Sequence, residues 1–263
     1  MIWNDFHFYS VALGIQTEAY VLLPDPNVMP QQDGVPLPTL YLLHGLSDDH
    51  TMWLRQTRVE QYARKYRMAV VMPAANRSFY TDMAHGAAYF TLVSEELPRV
   101  METYFPLSAN REERFAAGLS MGGYGALKLG LTYPERYGAV ASLSGPLELE
   151  KSYDPDTYQG EAFCKELDSI FGGEAALKAG EGNLSVLAQR ALADGKKLPR
   201  MYLACGERDG LFGANESFVR RFGQSLPLEY RTDKAASHTW DYWDRELQCV
   251  LRWLNPPKAE NVW

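Results

Sequence analysis

Cys164, Cys205 and Cys249 are the only cysteines in 263 residues, and no two of them form a C-x-x-C pair. So few, so widely spaced, they exclude a disulfide framework and a thiolate zinc site and leave buried reduced thiols. Basic clusters are missing too. The net charge is −7 and the pI near 5.3. That balance argues against nucleic acid and against anionic membrane surfaces as partners. No apolar run approaches the roughly 20 residues of a membrane span. The opening residues, Met1-Ile2-Trp3-Asn4-Asp5-Phe6-His7, do not run from a basic segment into an apolar one. A secretory signal is therefore not expected, and a cytoplasmic location is. The chain has no internal repeat and no low-complexity segment.

What is present is ordinary for a globular protein: 46% hydrophobic and 22% charged residues, in a length that suits one large α/β domain with a substantial core. Residues 6–10 and 17–23 read as two strands around a turn at Gly14. Residues 39–43 and 68–73 are continuous apolar runs, the pattern of strands covered on both faces. Residues 115–117, 138–145, 201–205 and 228–232 extend the series of strands. Between them, residues 53–66, 89–104, 124–131, 216–222 and 240–254 carry apolar side chains at helical spacing. Strands alternating with helices predict a mostly parallel central sheet with helices on both faces, its first two strands pairing as an antiparallel edge. Residues 24–38 and 74–88 read as loops. Residues 146–199 break the alternation. They are long and charged and hold two or three short helices, such as 164–171 and 184–192. An excursion of this size is expected to be a small cap insertion within a single domain spanning 1–263.

In such sheets chemistry gathers at the carboxyl ends of the strands. The stretch Gly118-Leu119-Ser120-Met121-Gly122 fits G-x-S-x-G and lies between an apolar run and a helical one. That is the setting of a nucleophile elbow, a sharp strand-to-helix turn that lifts a serine hydroxyl out of the sheet. The glycines matter because neighbouring Cβ atoms would collide with so tight a turn.

A serine hydroxyl needs a base to take its proton. Of His7, His44, His50, His85 and His238, only His238 follows Ser120. It sits between the last strand and the last helix, where the serine–acid–histidine order of this architecture wants it. The acid belongs after the 201–205 strand. Asp209 is favoured over Glu207, because two extra residues let its carboxylate turn back to the imidazole; Asp233 is the third candidate. The oxyanion hole needs two backbone N–H donors, expected from Met121 and Leu46. His44 is read as support for the Leu46 loop. Asp48-Asp49-His50 is read as a solvated loop, and no metal is assigned.

Taken together, His44-Gly45-Leu46, residues 118–125 around Ser120, Cys205-Gly206-Glu207-Arg208-Asp209 and His238-Thr239-Trp240-Asp241-Tyr242-Trp243 resemble the esterase D group of α/β-hydrolases, most of all the bacterial tributyrin esterases. Trp53-Leu54 and Phe79-Tyr80-Thr81-Asp82 fit the same subgroup. The resemblance covers nearly the whole chain. It implies the α/β-hydrolase fold, cofactor-free hydrolysis of short-chain acyl esters, and a small-molecule ester as partner. The same group contains S-formylglutathione hydrolases, feruloyl and acetyl-xylan esterases and mycolyl transferases. Trp53, Phe79, Tyr80 and Trp240 are the aromatic candidates for a substrate pocket, with the core as their alternative place. Trp3, Trp253 and Trp263 are interface or core, which leaves room for a homo-oligomer.

Overall fold

The computed structural model describes residues 1–27, 35–156 and 160–256. Apolar runs become strands buried at every position: β3 (Thr39–Leu43), β4 (Ala69–Pro73), β5 (Arg114–Leu119) and β6 (Ala139–Leu143). Ahead of them in the chain come β1 (Ile2–Ser10) and β2 (Ile15–Leu23); after them come β7 (Arg200–Gly206) and β8 (Leu228–Asp233). Among the described residues these form one sheet in the order β1-β2-β4-β3-β5-β6-β7-β8. The pairings β1–β2 and β2–β4 are antiparallel. From β4 across to β8 every pairing is parallel. The predicted architecture is the one the chain forms.

The helices are α1 (Met52–Gln56), α2 (Val59–Lys65), α3 (Tyr89–Thr91), α4 (Leu97–Tyr104), α5 (Met121–Thr132), α6 (Gly160–Phe171), α7 (Glu174–Ala179), α8 (Leu184–Ala193), α9 (Phe212–Phe222) and α10 (Trp240–Leu254). They cover both faces of the sheet. One apolar cluster joins it to Met101 of α4, Leu127 of α5, Leu187 of α8 and Phe218 of α9. The other joins it to Trp53 of α1, Ala63 of α2 and Leu247 and Leu251 of α10. No helix among the described residues is long and apolar enough to cross a membrane.

Three departures from the predicted elements have local causes. The 53–66 helix is two helices, because Thr57 is extended and its hydroxyl donates to Trp53 O (2.5 Å) while accepting from Val59 N–H (3.2 Å). The 89–104 helix contains a π-helical turn, Leu92–Glu96, between α3 and α4. That turn carries Glu96, whose carboxylate accepts from the Ser10 hydroxyl and the N–H groups of Val11 and Ala12, so it closes the β1–β2 hairpin. Strand β1 begins well before residue 6. Its polar residues alternate with apolar ones, as suits an edge strand with one solvated face.

Residues 146–199 contain α6, α7 and α8 after a short 3₁₀ turn at Leu149–Ser152. Tyr124 O–H donates to Gly182 O (2.7 Å), and the N–H groups of Ala84 and His85 donate to the carbonyls of Ile170 and Ser169 (2.9 Å each). These bonds tie the insertion to the loop after β4 and to α5. Trp3 is 57% exposed on β1, and Trp253 packs partly buried beneath Arg200. Trp263, and residues 28–34 of the predicted 24–38 loop, lie outside the described residues.

Candidate active site

Ser120 stands between β5 and α5 with φ 49° and ψ −120°, a strained backbone for a residue with a Cβ. The glycines around it permit the turn. A Cβ on Gly122 would lie 2.2 Å from Leu43 O, and one on Gly118 would lie 2.4 Å from the Gly122 carbonyl carbon. Neither backbone contact can yield, so the helix can pack this closely on β3 and β5 only as glycine.

Two loops from the other side of the sheet reach the serine. His238 Nε2 is 3.1 Å from Ser120 Oγ, and His238 Nδ1 is 2.8 Å from Asp209 Oδ2. The second Asp209 oxygen accepts from Leu211 N–H at 2.9 Å. Its carboxylate side chain is almost wholly buried. Burial alone would raise its pKa. The hydrogen bond and charge of His238, with the Leu211 N–H, outweigh that and hold it below the usual carboxylate range. The rival acids point elsewhere. Glu207 accepts from the Thr232 hydroxyl at 3.2 Å, and Asp233 pairs with Arg245 at 2.8 Å while capping Ala235 N–H.

The acid and histidine loops are joined to each other. Arg208 N–H donates to Ala236 O (3.0 Å) and Glu207 N–H to Asp233 O (2.9 Å). A Cβ on Gly206 would sit 2.3 Å from Ala236 O, so glycine is what lets the two turns touch. Trp243 stands edge-on to the His238 ring, centroids 4.8 Å apart, and its indole N–H donates to Ser144 Oγ at 3.1 Å. The apolar periodicity of α10 marks Trp243 as core; nothing in the sequence marks it as the wall behind the imidazole.

On the opposite side, the N–H of Met121 opens α5 and has no preceding turn to bond to. The N–H of Leu46 donates to no described residue. Both residues line the same cavity as Ser120 and His238. The Leu46 loop is braced from below. His44 Nδ1 donates to Gly45 O (2.8 Å), and its Nε2 accepts from Ala75 N–H (3.0 Å). Those bonds fix the tautomer, and burial pushes the ring's pKa down to about 4, so it stays neutral. Tyr80 O–H donates to His44 O at 2.9 Å. Asp48 accepts from Gly45 N–H. Among the described residues no group of three or more histidine, cysteine, aspartate or glutamate side chains is placed to hold a metal.

The cavity measures about 530 Å³. Phe79 lines it, as do Leu149 and Phe163 of the insertion and Leu211. Sequence reasoning missed those last three: Leu149 and Phe163 lie in an excursion without a motif, and nothing around Leu211, just past the acid loop, announces that it turns inward. Trp53, Tyr80 and Trp240 do not line it. Trp53 is buried with its indole N–H on Leu43 O (2.9 Å), Trp240 packs edge-on against Trp53, and Tyr80 is fully buried as the strut to His44.

A family model described as "Putative esterase" matches residues 10–254. An acetyl esterase of Caldicellulosiruptor saccharolyticus is 30% identical over 259 residues, covering 95% of this chain and 96% of that protein. Among solved structures, the substrate-bound fluorophosphonate-binding serine hydrolase F of Staphylococcus aureus superposes with a TM-score of 0.87 at 29% identity, over 97% of this chain and 98% of that one. An S-formylglutathione hydrolase of Staphylococcus aureus does so with a TM-score of 0.85 at 31% identity and the same coverage.

Proposed function

The chain belongs to this esterase family, and we propose that Ser120 is its nucleophile, His238 its general base and Asp209 the acid that orients the imidazole. The protein is an α/β-hydrolase-fold serine esterase acting on carboxylic esters. The observation that carries the residue assignment is the unbroken line Asp209–His238–Ser120, at 2.8 and 3.1 Å, opening into a cavity that Leu46 and Met121 also line.

Ser120 Oγ attacks the ester carbonyl carbon as His238 Nε2 takes its proton. The carbonyl oxygen becomes an oxyanion held by the N–H groups of Leu46 and Met121. Collapse of that intermediate expels the alcohol, which leaves with the proton from His238. Water then gives a proton to His238 and attacks the acyl carbon; collapse of the second intermediate releases the carboxylic acid as His238 returns the proton to Ser120 Oγ. Asp209 holds the ring with Nδ1 protonated and stabilises the imidazolium, remaining ionised itself. No step calls for a cofactor.

Short-chain acyl esters are the proposed substrates, in keeping with the esterase D group and the bacterial tributyrin esterases that the motifs resemble. Residues 146–199 act as the cap, a reading supported by Leu149 and Phe163 in the cavity wall. Three separated free thiols suit a cytoplasmic location. A thioester reading, hydrolysis of S-formylglutathione, is kept as the alternative because a solved enzyme of that name is 31% identical over nearly the whole chain. The test is kcat/KM for acetyl, butyryl and feruloyl esters and for S-formylglutathione, on wild type and on Ser120→Ala. Loss of about 10⁴–10⁶-fold in turnover is expected in the variant. A variant keeping a tenth of wild-type turnover would refute the nucleophile assignment.

A further inference from the structure

A second cavity, about 560 Å³, adjoins the catalytic one. Met83, Tyr89 and Ile170 give it an apolar wall, and Ser47 and Arg77 face both cavities. A cross-link of side chains stands between them, beside α6, whose Phe163 lines the first cavity and whose Glu166 and Ile170 line the second. Arg77 Nε and Nη2 donate to the two carboxylate oxygens of Glu166 on α6 (2.5 and 2.8 Å), and Nη1 donates to Ser47 Oγ (3.0 Å). The Arg77 and Glu166 side chains are 47% and 25% exposed. Both partners are open to solvent, which limits what the bidentate geometry adds to stability.

Sheet order says which part of an ester would meet it. Asp209 and His238 follow β7 and β8, on one side of Ser120 at the end of β5; the Ser47 and Arg77 loops follow β3 and β4, on the other side. His238 must hand its proton to the departing alcohol, so the alcohol lies on the β7–β8 side. The oxyanion rests on Leu46 and Met121, so a part of the ester that extends on toward Ser47 and Arg77 belongs to the acyl half, not the alcohol. Resting on the Ser120 reading, we propose that the second cavity extends the acyl site and receives the distal methylenes of a linear saturated acyl chain of medium length when the Arg77–Glu166 pair parts. With the pair closed, short acyl groups fill the first cavity alone. Met83 suits such a role, since its unbranched side chain adapts to a mobile alkyl guest.

Two measurements test this. The first is kcat/KM for p-nitrophenyl acetate through decanoate on wild type and Glu166→Ala, which frees Arg77 from its partner. The decanoate-to-acetate ratio should rise about 10-fold as added methylenes find apolar cover. A ratio within about twofold of wild type would overturn the proposal. The second is a crystal structure of wild-type protein treated with a decyl fluorophosphonate. With the adduct on Ser120, the alkyl chain should lie against Met83, Tyr89 and Ile170, with Arg77 moved off Glu166. An alkyl chain lying along Leu149, Phe163 and Leu211 with the ion pair intact would refute it. Folded protein that leaves Ser120 unlabelled would sink the nucleophile assignment, and this proposal with it.

Discussion

Lys128 sits inside the molecule on α5, 3% exposed. Its ammonium donates to Thr81 Oγ1 (2.8 Å) and Tyr80 O (3.3 Å) and lies 4.6 Å from the centre of the Phe90 ring. Burial pushes its pKa down to about 7, and the charges of Asp82 and Glu181 oppose that shift without cancelling it. Unfolding restores an ordinary lysine, so between pH 7 and 10.5 the unfolded chain binds a proton that the folded chain does not. The folded pKa is the lower one. Stability from this residue therefore rises with pH through that window and is lost as pH falls toward 7 and below. Integrated from pH 7 to pH 9, the gain is about 2 kcal/mol. Lys128→Met keeps the stem and removes the titration. Urea unfolding of both proteins at pH 7 and pH 9, followed by fluorescence and circular dichroism together, isolates the effect, since every other group cancels in the difference. The stability of wild type minus that of Lys128→Met should grow by about 2 kcal/mol over those two pH units. A difference flat to within about 0.5 kcal/mol would mean that the buried ammonium keeps an ordinary pKa, and the reasoning from burial would fail.

Asp209→Asn preserves the shape of the side chain and the Leu211 contact but can no longer fix the imidazole tautomer. Stopped-flow or steady-state assays should show kcat reduced about 10³–10⁴-fold in protein with wild-type circular dichroism; a loss under tenfold would move the acid role to another residue. Gly122→Ala drives a methyl into Leu43 O and should cost about 3 kcal/mol or more by thermal or chemical unfolding. Gly213→Ala, where nothing lies within 4 Å, is its control and should gain about 0.5–1 kcal/mol as a helical glycine replaced. Equal effects at the two positions would show that the elbow has room to spare.

Much of this protein was legible along the chain because its signals are local. Apolar runs at 39–43 and 115–117, a glycine-flanked serine between strand and helix, and a lone histidine after it each report their own backbone setting. Edge strand β1 was half missed because its alternation mixes Asn4, Asp5 and His7 with apolar residues. Thr57 split a helix that periodicity alone would carry through, since periodicity does not register a hydroxyl bonding backwards and forwards at once.

Composition and motif order determined the α/β architecture, the elbow at Ser120 and the short set of candidate acids and bases. Packing decided the rest. It put Asp209, with Glu207 and Asp233 committed to other partners, 2.8 Å from His238. It drew Trp53, Tyr80 and Trp240 away from the cavity and turned Leu149, Phe163 and Leu211 into it. The reason is physical: a strand or turn is specified by neighbours in sequence, whereas which buried side chain meets which depends on loops tens of residues apart arriving at one place.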